Sequence, residues 1–380
     1  MPLTRHLSLC SDNAQRVAHP TSTTEVPPVK ACIKTDQGKA EIIDVKAPEP
    51  GPGEIIIKMS MCTVCGSDMH FLDEFPTAVL NFAFPRSVRP EGLPMGHEGV
   101  GHVSAVGVGV TKFKEGDRVL ASCLVGCGSC HECMSVDHGV CSGGGSVLFG
   151  CQAEYYPVPF ADQNTTKVPD GVSDEHAILI SDILSTGFGA IERADLKFGQ
   201  SVAVFAQGPV GLMATAGARA RGAGMIIGVD TLPDRLEMSK KFGANHAINA
   251  KEVDAHQKIM ELTNGHGVDV AVEAVGTQPT FESATKAVRR GGTVSSVGVY
   301  GLLPNVSMPT MAPSFLHRKI VTTLCPSGAD RMSYLCDLIA NSNIDLSPLF
   351  THRMKLEELP KAYDLFRSKT EGVLKIAVTP

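Results

Sequence analysis

The sequence predicts an α/β protein of two units: a doubly wound parallel sheet, and a β-rich, barrel-like domain that precedes it and resumes after it. Length is the first argument, since 380 residues exceed the ~250–300 at which a single core stops growing. The second is a β-rich pattern from Ala31 to about Pro159, where "GEIIIKMSM", "GVGHVSAVGVGV", "DRVLASCL" and "QAEYYPVP" are separated by Gly and Pro turns. The third is a change of grammar after the helical stretch "DEHAILISDILSTGFGAIERA". From there apolar strands, turns and helices alternate, the pattern of crossover-linked parallel strands.

Six strands are expected in the parallel sheet: "SVAVFA", "MIIGVD", "HAINA", "VDVAVEAV", "GGTVSSVGV" and "KIVTTLC", with helices opening near Pro209 and Pro233. Beyond Cys325 the chain is expected to rejoin the first unit and to end in the strand-like "VLKIAVTP". The division read from these patterns is an extension over 1–29, the β-rich unit over 30–183 and 326–380, and the doubly wound unit over 184–325. Residues 1–29 are polar and Pro-bounded, without periodicity or an apolar signal core. They read as a disordered tail and not as a secretory signal, while Arg5 and Arg16 leave organelle import as the alternative. The expected location is the cytoplasm.

Composition excludes several function classes. Net charge is −6, with no basic block suited to nucleic acid. No apolar run approaches the ~18 residues of a membrane span. The 12 cysteines would suggest disulfides in a small secreted domain, but here they cluster. In a long chain without an export signal that reads as metal binding.

The densest cluster is "GCGSCHECMSVDHGVC", with Cys127-x2-Cys130-x2-Cys133-x7-Cys141. Four thiolates at such spacings can close a tetrahedron around zinc, with an iron–sulfur cluster as the main rival. A four-sulfur site leaves no position for substrate, so it fixes a loop and performs no catalysis. "MCTVCGSDMH" poses a separate question, because Cys62-x-x-Cys65 has redox spacing.

"VAVFAQGPVGLMATAGARA" places Ala206-x-Gly208-x-x-Gly211 between a strand and a helix. Gly208, Pro209, Val210 and Gly211 are expected to face a pyrophosphate at the helix N-terminus, and Ala206 must carry a tight turn in spite of its methyl group. Asp230, at the end of the second strand, would accept hydrogen bonds from ribose hydroxyls and repel a 2′-phosphate, which favours NAD(H). Arg235 follows closely and could instead receive that phosphate.

With the thiol loop, this turn, "CGSDMH", "MGHEGVG", "GDRV" and "STGFG" in that relationship, the chain from about Ala31 to Pro380 resembles the zinc-dependent alcohol dehydrogenases of the medium-chain dehydrogenase/reductase family. The resemblance implies a GroES-like catalytic domain and a Rossmann coenzyme domain with the cleft between them. It implies two zinc ions per chain, NAD(H), a small alcohol with its ketone or aldehyde, and a homotetramer or homodimer. It makes Cys65, His97 and Asp182 the catalytic zinc ligands, with Glu98 beside them as an exchangeable one. The aspartate is similar to that of the secondary-alcohol and formaldehyde dehydrogenase branches. Ser67 and His70 match a proton relay, and Thr186, Val275, Val297 and Val299 match nicotinamide contacts. Lys375 matches a basic residue that approaches the coenzyme phosphates. Cys62 is then a small buried hydrophobe.

One cysteine, one histidine and one carboxylate also leave a fourth tetrahedral position open, as a catalytic zinc requires. The stretch from His70 to Glu98 carries Phe71, Phe75, Phe82 and Phe84. These rings either wall a cleft suited to bulky alcohols or pack the loop against the barrel. The expected reaction is reversible oxidation of an alcohol, foremost a secondary one. The alternatives are a formaldehyde dehydrogenase or dismutase, and a zinc- and nucleotide-binding protein without turnover.

Overall fold

The computed structural model describes residues 27–36, 38–83, 87–143, 147–301, 306–308, 317–342 and 344–380. Nearly all of the N-terminal extension, and Phe84 with it, lies outside the described residues. Among the described residues the strands are β1 (Val29–Asp36), β2 (Lys39–Val45), β3 (Ile55–Val64), β4 (Leu93–Pro94), β5 (Gly99–Val106), β6 (Arg118–Ala121), β7 (Tyr155–Val158) and β8 (Thr165–Lys167). There follow β9 (Ser201–Phe205), β10 (Met225–Asp230), β11 (His246–Asn249), β12 (Val268–Glu273), β13 (Val288–Ser296), β14 (Lys319–Thr322), β15 (Phe350–Lys355) and β16 (Lys375–Thr379).

The six strands expected of the parallel sheet form it, in the order β11-β10-β9-β12-β13-β14. Winding starts at β9, runs outward to β11, then reverses to β12. That reversal opens a crevice beyond the carboxyl ends of β9 and β12. The strands are apolar on both faces because helices cover both. Val202 and Val204 of β9 pack with Ala214 and Ala218 of helix Pro209–Ala220. The alternate residues Ala203 and Phe205 pack with Ile259, Phe281 and Ala284 on the other side. Full burial of a side chain the size of Val or Ile is worth roughly 1.5–3 kcal/mol, so this two-sided core dominates the unit's stability.

The β-rich unit holds a sheet in the order β15-β16-β3-β5-β6-β8, with β7 also on β3, and a smaller sheet β2-β1-β4. Its last strand comes from the end of the chain, with Ile376 opposite Val64 and Ala377 opposite Thr63. One expectation is refined. The helical stretch before β9 is two helices, Asp174–Ile180 and Ile183–Arg193, broken where Asp182 leaves helical geometry at φ −138° and ψ −77°.

Candidate metal centre and coenzyme cleft

Three local devices bring Cys65, His97 and Asp182 together. Cys65 follows β3 in extended geometry and is the N-cap of the short helix Gly66–Met69. His97 follows Gly96, whose φ is +81° and where an added Cβ would lie 2.4 Å from Gln152 Cγ, so only glycine makes that bend. Asp182 occupies the helix break, and Ile183, Leu184 and Phe188 of its helix pack against Leu212, Met213 and Ala216. The metal site is thus braced against the helix that opens at the Gly208 turn.

The ligand atoms of the three residues all lie within 4.8 Å of one another. Asp182 Oδ2 is 3.3 Å from His97 Nε2 and 3.4 Å from Cys65 Sγ. Tetrahedral bonds of ~2.0–2.3 Å place donor atoms about 3.3–3.8 Å apart. Donor chemistry and spacing therefore both fit zinc.

The surrounding residues set orientation and charge. Asp68 receives the Cys65 N–H at 2.9 Å through Oδ2 and lies 3.0 Å from His97 Nδ1 through Oδ1. It thereby touches two of the three ligand residues, the kind of outer support that fixes a metal-bound imidazole. Sequence reasoning gave Asp68 no role, although its place three residues after Cys65 has the spacing of a capping box. Thr186 Oγ1 donates to Asp182 Oδ1 at 2.9 Å, so the hydroxyl expected near the nicotinamide is engaged with the carboxylate. Burial alone would raise the Asp182 carboxyl. The bond from His97 and the charges of His97 and Lys375 outweigh it and hold the group well below the usual carboxylate range.

Glu98 is fully buried beside this set. Its Oε2 accepts from Thr63 Oγ1 and from Lys375 Nζ, while Oε1 is a buried oxygen without a hydrogen-bond partner. Burial raises its carboxyl in spite of the lysine charge. This corrects the expectation for Lys375. Its side chain is 1% exposed, and its charge is engaged with Glu98 because β16 pairs with β3 inside the β-rich unit. It does not present itself to a coenzyme phosphate.

Ser67 Oγ lies 3.2 Å from His97 Nε2 and 3.4 Å from Cys65 Sγ, at the edge of the ligand set. His70 is elsewhere engaged, with Nδ1 2.8 Å from Glu74 Oε1. The structure brings the serine to His97 and Cys65, whereas the contact shown for the His70 ring is with Glu74. Cys62 is completely buried in the barrel core, whereas Cys65 belongs to a different apolar cluster. Burial pushes the Cys62 thiol well up, which suits a filler and not a redox partner.

The thiol loop gathers Cys127, Cys130, Cys133 and Cys141 with their sulfurs within 4.8 Å of one another. The Ser129 hydroxyl and backbone amides bring the Cys127 thiol down to about 6. Donation from the Cys133 N–H helps bring Cys130 to about 7. Burial pushes the Cys133 thiol the other way, up to about 12, so it is the clustering of four sulfurs that fits zinc.

At the nucleotide turn, Ala206 adopts φ +77°, so the methyl group is carried in a left-handed conformation. A Cβ on Gly211 would fall 1.9 Å from Ala206 O, whereas one on Gly208 would meet only Arg235 Nη1 at 3.6 Å. Gly211 is required by packing, and Gly208 leaves an open face beside the Arg235 guanidinium. Pro209 and Val210 form the first turn of the following helix. Asp230 is 8% exposed and accepts from Gln207 N, Thr231 N and Leu232 N at 2.6, 2.6 and 3.0 Å. Val275 and Val299, at the carboxyl ends of neighbouring strands, are exposed apolar residues. Val297 is partly buried and packs on the sheet core.

The phenylalanines divide. Phe71 stacks edge-on against Phe149 with centroids 4.8 Å apart, and both Phe71 and Phe75 pack onto the barrel core. Phe82 is 90% exposed. Two of the rings thus tie the loop to the barrel, which removes support for a cleft walled by them.

Comparison with known proteins agrees with this architecture. Residues 51–170 match the alcohol dehydrogenase GroES-like domain, and residues 209–341 match the zinc-binding dehydrogenase model. An alcohol dehydrogenase of Cupriavidus necator is 39% identical over 376 residues, covering 93% of this chain and 99% of that protein. The NADP-dependent isopropanol dehydrogenase of Thermoanaerobacter brockii is 34% identical over 353 residues, covering 90% and 97%. Among solved structures, the alcohol dehydrogenase TADH of Thermus sp. ATN1 superposes with a TM-score of 0.81 at 32% identity, covering 92% of this chain and 99% of that one.

Proposed function

Because this chain belongs to the zinc-type alcohol dehydrogenases of the medium-chain dehydrogenase/reductase family, we propose that it oxidises alcohols reversibly, secondary ones foremost, with hydride transfer to NAD. The observation that carries this reading is the convergence of Cys65, His97 and Asp182 with one tetrahedral position left open. A zinc ion held there would supply Lewis-acid polarisation of the alcohol oxygen. The protein's own residues do the rest. Asp68 and Thr186 orient His97 and Asp182. Ser67, at the rim of the ligand set, would relay the alcohol proton, its Oγ accepting that proton as its own hydroxyl proton passes on to solvent.

Two further parts of the reading rest on composition of the sites. The four thiols of the loop would hold a second, structural zinc. Asp230 supports NAD, since its charge stands where a 2′-phosphate would come. Arg235, beside the open face of Gly208, is suited to the pyrophosphate that both coenzymes share. The reading favours small alcohols over aromatic ones, because Phe71 and Phe75 belong to the barrel core.

The test is turnover of the zinc-loaded chain with propan-2-ol, benzyl alcohol, sorbitol and formaldehyde, each with NAD and with NADP. Highest kcat/KM for propan-2-ol with NAD is expected. Formaldehyde as the best substrate would favour the alternative branch, and no turnover with any of the four would refute the reading.

A further inference from the structure

We propose that Cys123, Cys325 and Asp182 form an auxiliary site for a thiophilic divalent cation, zinc or cadmium, which shares the Asp182 carboxylate with the Cys65–His97 centre. The ligand atoms of these three residues lie within 4.8 Å of one another, as do those of the two sites already described. Cys123 follows β6 of the β-rich unit, and Cys325 lies beyond β14 where the chain leaves the doubly wound sheet. Their thiols meet beside the broken helix, and both are almost wholly buried. Neither motif spacing nor the reaction accounts for the pair.

Cys325 differs from the buried Cys151. Cys151 Sγ has one close acceptor, Glu98 O at 3.1 Å. Cys325 Sγ instead spreads over three carbonyls, Ser181 O at 3.8 Å, Asp182 O at 3.6 Å and Pro326 O at 3.6 Å. None of these is a strong hydrogen bond, and the sulfur's further partner is the Cys123 thiol itself. Two sulfurs and one carboxylate oxygen are a soft donor set that selects zinc-like cations over magnesium or calcium. On binding, two sulfur bonds and one oxygen bond form, Cys123 and Cys325 each release a proton, and no electron is transferred. A cation there draws on the charge of Asp182, so excess metal inhibits the enzyme. The inference rests on the proposed role of Asp182 only for this last consequence.

The full chain, loaded with zinc and stripped of excess ions by gel filtration, is incubated with cadmium chloride. Zinc plus cadmium per chain is then counted by elemental analysis, with thiolate-to-cadmium ultraviolet absorption as a second readout. One further ion per chain is expected for the wild type and none for Cys123→Ala or Cys325→Ala. Turnover before cadmium should be unchanged in both variants, and the cadmium needed to inhibit them should rise by at least roughly tenfold. A wild-type count that does not rise overturns the inference without recourse to the variants, and so does equal uptake by properly folded variants. A chain that lacks metal at Cys65, His97 and Asp182 but still gains the thiol-dependent ion would defeat the catalytic reading and leave this one standing.

Discussion

The ammonium group of Lys375 is buried against the carboxylate of Glu98, across 277 residues of chain. Both side chains are 1% exposed. Such a pair is held in place by mutual need, because either charge alone would be stranded in a low-dielectric interior. It also puts a fixed positive charge next to the proposed catalytic zinc ligands.

Lys375→Met should therefore destabilise the protein by about 3–5 kcal/mol, the cost of leaving a buried charge unpaired. Adding Glu98→Gln should recover most of that loss. Urea unfolding of the two single variants and the double variant measures the coupling. Equal losses for single and double variants would mean that the pair is not the unit that matters.

Asp182→Ala should remove one of two zinc ions and abolish alcohol oxidation, while NADH affinity changes little. The reason is separation: the Gly208 turn and Asp230 make their contacts without Asp182. Elemental analysis, fluorescence titration with NADH and turnover together check it. Retention of both metals with near-normal activity would move the third ligand to Glu98, whose Oε1 is without a partner.

Ser67→Ala should keep both metals yet slow turnover by ~10²–10⁴-fold, the range expected for loss of positioned proton transfer. Substituting His70 should cost less, because that ring is paired with Glu74 rather than with Ser67. Comparing kcat for the two variants across pH separates them.

Asp230→Gly should shift the ratio of kcat/KM for NAD and NADP towards NADP. It should also cost about 1–3 kcal/mol of stability, since three backbone N–H groups lose their charged acceptor. A stability loss without a change in coenzyme ratio would reduce Asp230 to a turn residue and make Arg235 the group to vary next.

Asp269 offers a pH test away from the site. Burial would raise its carboxyl, but donors from Ser201 and the Arg289 guanidinium outweigh that and lower it. A carboxyl lowered by folding adds stability above its ordinary pKa of ~3.9 and loses that contribution as pH falls through the folded value. Asp269→Asn should thus lower the melting temperature at pH 7, and the gap to wild type should shrink as pH falls below ~4. A gap that stays constant would assign the effect to packing.

Short-range patterns made much of this molecule legible. The six parallel strands follow from apolar runs and turn residues, and the Ala206–Gly211 turn follows from its place between strand and helix. The four-cysteine loop is legible because its donors are neighbours in the chain. Periodicity and spacing report such features because the forces behind them act within a few residues. Tertiary structure alone decided the rest. Asp182 points at His97 because a helix breaks there, although the stretch reads as continuously helical. Lys375 turns to Glu98 instead of a coenzyme because the register of β16 on β3 carries it into the β-rich unit. Phe71 and Phe75 face the barrel, and Cys123 meets Cys325 across two units. Charges and sulfurs take the partner that sheet register and core packing deliver, and that partner is far away in the chain, 85 residues for Asp182 and His97 and 277 for Lys375 and Glu98.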